Sequence, residues 1–123
     1  MKAMNIGQRL VELCKQGKNM ESIDTLYADT VESIEATDPP LGDRVTRGIE
    51  AVRRKNNDWG EQNTIHEQNV EGPYPHGDDR FAVRFSYDIT NKPSGQRMKL
   101  DEIGVFTLAG GKVIREEFYY AFG

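Results

Sequence analysis

Three glutamates stand among apolar and aromatic residues in segments that have the pattern of β-strands. Glu35 lies in the alternating run Thr30–Thr37, on one face with Val31 and Ser33, and Glu102 and Glu116 lie in the two strands of a C-terminal hairpin. Burying a carboxylate is costly unless it is paired, so such glutamates indicate either a ligand cavity or a polar interface. In a dry pocket, a carboxylate can act as a general base next to a carbonyl group. A protonated carboxyl group can instead hold a developing oxyanion.

Each of these glutamates also has a structural explanation. Glu35 could be a surface or salt-bridged residue of an acidic strand. Glu102 could form an ion pair with one of three cations of the same hairpin, which are Arg97, Lys99 and Arg115. Glu116 needs a partner if it points inward, and Arg84 is one candidate.

Six aromatic residues could form either the wall of a cavity or a packed core: Tyr27, Trp59, Phe85, Phe106, Phe118 and Tyr120. The two differ only in empty space, which a sequence does not show. A buried phenol needs a hydrogen-bond partner, so Tyr27 or Tyr120 could orient a ligand carbonyl.

The two histidines do not predict a metal site, because His66 and His76 lie ten residues apart without a third ligand nearby. His66 could border the cavity as a proton shuttle, although a structural or exposed histidine is more common. The basic run Arg53–Lys55 is interpreted as a solvated helix face, since three consecutive helical residues point in three directions. No cofactor is predicted.

The 123 residues suffice for one domain with a single core. Apolar residues make up 37% and charged residues 29%, which predicts a thin-walled or oligomeric domain. The net charge of −4 argues against nucleic acid or an anionic membrane as the main partner. The single cysteine, Cys14, excludes an intrachain disulfide. Neither a signal peptide nor a membrane span is recognisable, so a cytoplasmic location is expected.

Hydrophobic periodicity divides the chain into helices and strands in the order α-α-β-α-β-β-β-β. The helices are predicted at Met4–Gln16, Met20–Tyr27 and Gly48–Trp59. The strands are predicted at Thr30–Thr37, Thr64–Glu71, Arg80–Thr90, Arg97–Leu108 and Lys112–Phe122. Breaks rich in Gly and Pro are predicted at Asp38–Asp43, Gly72–Asp79 and Asn91–Gly95. Short turns imply an antiparallel sheet with the helices on one face, an α+β domain.

Alternation assigns residues to the two faces of each strand. The clearest strand has one apolar face, formed by Phe81, Val83, Phe85, Tyr87 and Ile89. In the first hairpin strand, one face carries Leu100, Glu102, Gly104, Phe106 and Leu108. In the last strand, Ile114, Glu116, Phe118 and Tyr120 face one way, opposite Val113, Arg115, Glu117 and Tyr119. Both hairpin faces are therefore predicted to be covered, one by a core or pocket and the other by a helix layer or partner chain.

Three short motifs occur in order along the chain: Leu26-Tyr-Ala-Asp29, Gly48-Ile-Glu-Ala-Val52, and Gly111-Lys-Val-Ile-Arg-Glu-Glu-Phe-Tyr119. Together with the order of elements, they resemble the SnoaL-like branch of the nuclear transport factor 2-like superfamily over nearly the whole chain. The resemblance implies a cone-shaped domain, in which a curved antiparallel sheet wraps around three helices and an apolar pocket. It also implies a homodimer through the outer sheet face, where Ile103 and Val105 lie.

The resemblance implies site residues only where this sequence matches the family. The carboxylate base of a ketosteroid isomerase falls on Glu35. The two oxyanion donors of that isomerase fall on Leu10 and near Gly104, whose side chains cannot donate. The histidine and aspartate of the cyclase branch fall on Gly104 and Phe118, so both are missing. Glu102, on the same strand face as Gly104, could place a carboxyl group in the same cavity.

Together these observations predict a protein that binds a small hydrophobic ligand or substrate in a pocket. If it is an enzyme, it is a cofactor-independent isomerase, cyclase or dehydratase that acts on a small hydrophobic carbonyl compound. Glu35 would then be the base and Glu102 an acid or oxyanion donor. The alternative is a non-catalytic ligand-binding or protein-interaction domain of the same fold.

Overall fold

The protein is described by a computed structural model that covers residues 2–37 and 43–121. Its helices are α1 at Lys2–Lys15, α2 at Asn19–Leu26 and α3 at Ile49–Gln62. Its strands are β1 at Tyr27–Ile34, β2 at Val45–Arg47, β3 at Asn63–His76, β4 at Arg80–Asn91, β5 at Arg97–Ala109 and β6 at Lys112–Tyr119. The predicted α+β fold, with three helices and a curved sheet, is confirmed. Within the described residues, no helix is both long and apolar enough to cross a membrane.

The six strands form one sheet in the order β2-β1-β6-β5-β4-β3, which is not closed into a barrel. Neighbouring strands are antiparallel except β1 and β6, which run parallel. The predicted antiparallel pairing is therefore wrong at this one pair. A parallel pair needs a crossover connection, and here most of the chain forms it, so no local turn signal reports the pairing.

Two further differences concern a short strand that was not predicted and the end of another strand. Strand β2 was not predicted, because it has only three residues and follows the predicted loop, whose residues 38–42 lie outside the described part. The predicted long turn at Gly72–Asp79 is also wrong, because β3 continues to His76 and the turn occupies residues 77–79. A register shift between Glu71 and Tyr74 lets the strand pass through its Gly-Pro step. The predicted end of the last strand, Phe122, lies outside the described residues.

Two glycines with positive φ set the positions of the helices. Gly17, at φ +74°, ends α1 with hydrogen bonds from its own N–H to Cys14 O and from Lys18 N–H to Leu13 O. Gly48, at φ +88°, precedes α3 and donates its N–H to Val31 O at 2.8 Å. This second bond ties the start of α3 to β1.

The core lies between α1 and the inner face of the sheet. Its fully buried members include Leu10 and Leu13 of α1 with Val31, Phe81, Val83, Phe106 and Val113 of the sheet. The predicted placement of Val113 on the face opposite Glu116 is wrong, because both side chains are buried on the inner face. A bulge shifts the β5–β6 register between Thr107 and Leu108, so that Val113 pairs with Leu108 on the inner face.

Candidate functional site

A cavity of about 780 Å³ lies between α3 and the inner face of the sheet. Leu10 and Cys14 of α1 and Ile23 of α2 also line it. Ligand pockets commonly have volumes of roughly 300 to 1,000 Å³, so this space has the size of a small-molecule site.

Aromatic side chains form much of the cavity wall. Trp59 of α3 and Tyr87 of β4 meet with ring centroids 5.2 Å apart. Phe106 and Phe118 meet nearly at right angles, with centroids 6.4 Å apart. Gly104 lies beneath these two rings, where a Cβ would be 2.9 Å from the Phe106 ring and 3.2 Å from that of Phe118. Gly104 therefore shapes the wall by leaving room for the rings.

Glu116 is buried at the polar end of the cavity. The hydroxyl of Tyr27 donates a hydrogen bond to its Oε1, and the hydroxyl of Ser33 donates to its Oε2 at 2.6 Å. Burial raises the pKa of Glu116, while the hydrogen bonds from Ser33 and Tyr27 and the charge of Lys55 partly oppose the rise. Both carboxyl oxygens are thus occupied, which makes Glu116 a fixed part of the wall. The predicted partner, Arg84, is wrong, because Arg84 pairs with Asp101 at 2.8 Å.

Lys55 projects from α3 into this polar end. Its Nζ donates to Ser33 Oγ at 2.8 Å, lies 3.6 Å from Glu35 Oε2, and sits 5.6 Å from the centroid of the Phe118 ring. The ring attracts the ammonium and restrains its position. The interpretation of the basic run as a solvated face is therefore wrong for Lys55, although Arg53 does form its ion pairs elsewhere, with Asp24 and Glu50.

Glu35 directly follows β1 and lines the cavity. Its backbone N–H donates to Arg44 O at 2.9 Å, which fixes the main chain beside β2. Its Oε2 is buried and accepts no hydrogen bond from any residue that the structure describes, and the Lys55 ammonium lies 3.6 Å from it. A buried carboxylate oxygen with a free lone pair is available to a proton of a ligand.

Glu102 is partly buried and lines the cavity from β5. Burial raises its pKa to about 7, the charges of Glu35 and Glu116 add to the rise, and Lys55 opposes it. Both protonation states are therefore populated near neutral pH. Within the described part of the chain, Glu102 forms no ion pair with a hairpin cation, and Arg97 pairs instead with Asp88. Arg115 pairs with Glu117.

Three predicted site residues are not lining residues of the cavity: Gly104, which lies beneath the two rings, His66 and Tyr120. His66 is exposed on β3, and its Nε2 lies 2.7 Å from Thr90 Oγ1. It is not among the residues that line the cavity, so its predicted position at the cavity border is wrong. Tyr120 is not a lining residue either, although partial burial and the charge of Glu35 raise its pKa. In residues 2–37 and 43–121, no group of three or more His, Cys, Asp or Glu side chains is placed to hold a metal ion.

The fold and this cavity define a domain in which a curved sheet and three helices enclose a small-molecule-sized space. The family model of the SnoaL-like domain matches residues 1–120, and the chain belongs to this family. No curated protein sequence matches the chain.

Several solved structures have a fold similar to that of this chain. A protein of Mesorhizobium loti, provisionally assigned as a SnoaL-like polyketide cyclase, is 41% identical with a TM-score of 0.88, over 94% of this chain and 97% of that one. The Δ5-3-ketosteroid isomerase of a Mycobacterium species is 17% identical with a TM-score of 0.69, over 98% and 93%. TerC, co-crystallised with polyporic acid, is 15% identical with a TM-score of 0.71, over 98% and 92%. The latter two similarities concern the fold alone.

Proposed function

We propose that this protein is a cofactor-independent enzyme that moves protons on a small hydrophobic carbonyl compound, in an isomerisation, cyclisation or dehydration. The observation that carries the proposal is the pair of unlike carboxyl groups in one cavity. Glu35 has a buried oxygen that accepts no hydrogen bond from the described residues, and Glu102 has a pKa of about 7. Two carboxyl groups in different environments are the usual means of separating base from acid.

Glu35 is assigned the role of base and removes a proton from the carbon next to the carbonyl group. Glu102 is assigned the role of acid, because its protonated form is populated at neutral pH and can donate to an oxygen of the substrate. The hydroxyl of Tyr27 already donates to Glu116, so we assign it to the support of Glu116 rather than to a ligand.

The shape of the cavity supports a hydrophobic substrate with one polar end. Aromatic rings from α3, β4, β5 and β6 would contact the carbon skeleton, while the glutamates and Lys55 cluster together. A ligand held in this orientation would present its carbonyl group to the carboxyl groups.

Exchange of ketone α-hydrogens for deuterium, followed by NMR in D₂O without any cofactor, tests this proposal. We expect the protein to accelerate exchange in 2-indanone or 2-tetralone. Glu35→Gln should slow it by at least ~100-fold, because the base is lost. Glu32→Gln is the matched control, since Glu32 lies on β1 just before Glu35, is not a lining residue of the cavity, and forms its ion pair with Arg47.

Equal exchange by the wild type and by Glu35→Gln would contradict the assignment of the base. Saturable binding of both ketones without any acceleration of exchange would instead favour a non-catalytic ligand-binding domain.

We propose in addition that two copies of the chain pair through the outer sheet face. Three exposed apolar residues support this proposal, namely Tyr74, Ile103 and Tyr119, of which Ile103 and Tyr119 are directly paired. Sedimentation velocity should show a dimer for the wild type and a monomer for Ile103→Glu. A wild type that remains monomeric at ~100 μM would contradict this surface assignment.

A further inference from the structure

The Lys55 ammonium has hydrogen-bonding capacity that its described contacts do not use. It carries three N–H donors, of which one bonds to Ser33 Oγ at 2.8 Å. Glu35 Oε2, at 3.6 Å, is beyond the usual length of an N–H···O hydrogen bond. Donors therefore remain for a ligand atom that enters the cavity.

Lys55 also differs from the other cations of the cavity. Arg47 and Arg54 line it as well, but both are exposed, and Arg47 pairs with Glu32. Lys55 is partly buried, with 29% of its side chain exposed, and it is held at the end where Glu35 lies. A charged donor in a partly desolvated site interacts with an oxyanion much more strongly than one in water.

We propose that Lys55 is a catalytic residue, which donates a hydrogen bond to the carbonyl oxygen of the substrate and stabilises the enolate that forms there. This inference rests on the proposed function of Glu35. In the step, the C–H bond breaks and its proton goes to Glu35 Oε2. The electron pair of that bond forms a C=C bond, and the carbonyl π pair moves onto the oxygen that Lys55 holds. Return of that proton from Glu35 to a carbon of the enolate, while the oxygen lone pair re-forms the C=O bond, completes the reaction and restores the Glu35 carboxylate.

The geometry fits the two ends of this step. A carbonyl oxygen and a hydrogen on the adjacent carbon are separated by few bonds, so a donor and a base 3.6 Å apart can contact both. Leu10, where the resemblance places a donor, offers none, and Lys55 supplies one from α3 instead.

The charge balance of the site is also preserved. Before the step, the Lys55 ammonium faces the Glu35 carboxylate. After it, Glu35 is neutral and the ammonium faces the enolate. The ammonium is paired throughout, so little reorganisation accompanies the proton transfer. An anionic substrate would add a second negative charge beside Glu35, so the substrate class that fits is a neutral hydrophobic ketone rather than a carboxylate.

Binding of 4-nitrophenol tests the assignment, because its ionised form resembles an enolate and its visible absorbance reports its ionisation. Glu35→Gln supplies the neutral side chain that the base has after proton transfer. We expect this variant to bind the phenolate form. Adding Lys55→Met should weaken binding of the phenolate roughly 10- to 100-fold and leave the bound fraction neutral, since a charge-assisted bond is lost.

Lys99→Met in the same background is the matched control, because it removes one lysine charge from β5 outside the cavity lining and should change nothing. Lys55→Arg, which keeps the charge, should retain phenolate binding and covers the case in which Lys55→Met fails to fold. Phenolate affinity that is the same with and without Lys55, or no phenolate binding by Glu35→Gln, would overturn the inference.

The outcome is separable from that of the proposed function, since it measures binding rather than turnover. If phenolate binding depends on Lys55 but exchange does not depend on Glu35, the proposed enzymatic function is refuted, and Lys55 remains the donor to a ligand oxygen. If exchange depends on Glu35 but phenolate binding does not depend on Lys55, Glu35 remains the proposed base and the role of Lys55 is refuted.

Discussion

The inner face of the sheet is packed solid where Gly7 of α1 meets it and hollow beneath α3, where Leu10 and Cys14 of α1 also border the cavity. Under α1, a Cβ on Gly7 would lie 2.9 Å from Pro73 and 3.1 Å from the Phe81 ring, so the helix sits directly on the strands. Phe81 and Val83 have no exposed surface there. Under α3, the same face borders a cavity of about 780 Å³.

The chemistry of the strands changes with this packing. Along β4, the buried Phe81 gives way to the cavity residues Phe85 and Tyr87, and along β5 the buried Leu108 gives way to Glu102. Where a helix closes on the sheet, apolar burial stabilises the fold. Where the helix stands away, carboxyl groups are tolerated because ligand or water can reach them. The residues whose apolar packing stabilises the fold and the carboxyl groups that could do chemistry therefore lie mostly in different halves of the sheet.

The largest expected effect separates the two halves by stability. Phe81→Ala should lower the free energy of unfolding by about 3 to 5 kcal/mol, because it leaves a void in a solid core. Phe118→Ala removes the same ring from the hollow half, where part of its surface already faces the cavity, and should cost less than half as much. Denaturant titrations of both variants measure the difference, and equal losses would mean that the α3 half is also solid.

The next effect concerns the fixed glutamate of the hollow half. Glu116→Ala should destabilise the protein by about 2 to 4 kcal/mol, because it leaves the buried hydroxyls of Tyr27 and Ser33 without their acceptor. Glu116→Gln keeps one acceptor oxygen and should cost less. Thermal and urea unfolding at pH 7 would measure both, and a neutral Glu116→Ala would show that the network is not needed for the fold.

A smaller effect depends on pH through Glu102. Its pKa is about 7 in the folded protein against 4.5 in the unfolded chain, so the folded state binds the proton more tightly. Stability therefore falls as pH rises from about 4.5 to about 7, and Glu102→Gln removes that loss. The variant should be about 1 to 2 kcal/mol more stable than the wild type at pH 8, and not at pH 4. An unchanged difference across this range would contradict the raised pKa.

The smallest expected effect on stability is that of Glu35→Gln. Its Oε2 accepts no hydrogen bond in residues 2–37 and 43–121, so the melting temperature should stay within ~2 °C of the wild type or rise, as active-site carboxylates often cost stability. Differential scanning fluorimetry measures this shift. A clear loss of stability would assign Glu35 a structural role beside Lys55.

The neighbours that share a strand face with Glu35 and Glu102 could be predicted from the sequence, because alternation along a strand is a local property. Glu102 shares its face with Phe106, and Glu35 shares its face with Val31 and Ser33, which are fully buried. The bulge at Val113 and the parallel pairing of β1 with β6 depend on distant partners and left no local signal.

Lys55 is a different case, since its signal was present. It lies three residues after Val52 and four before Trp59, on the apolar stripe of α3. Lys55 was instead interpreted as part of the basic run Arg53–Lys55, which was assigned to a solvated helix face. A lysine on an apolar helix stripe beside strand carboxylates indicates a cavity more specifically than the run itself does.

The most direct test of the hollow half is a crystal structure of the protein with 2-tetralone. The account predicts the ketone between α3 and the sheet, with a ring against Phe118 or Trp59 and a carbon next to the carbonyl in contact with Glu35 Oε2. A cavity that is closed by its own side chains, or a ketone bound with Glu35 and Glu102 both turned to bulk water, would contradict it.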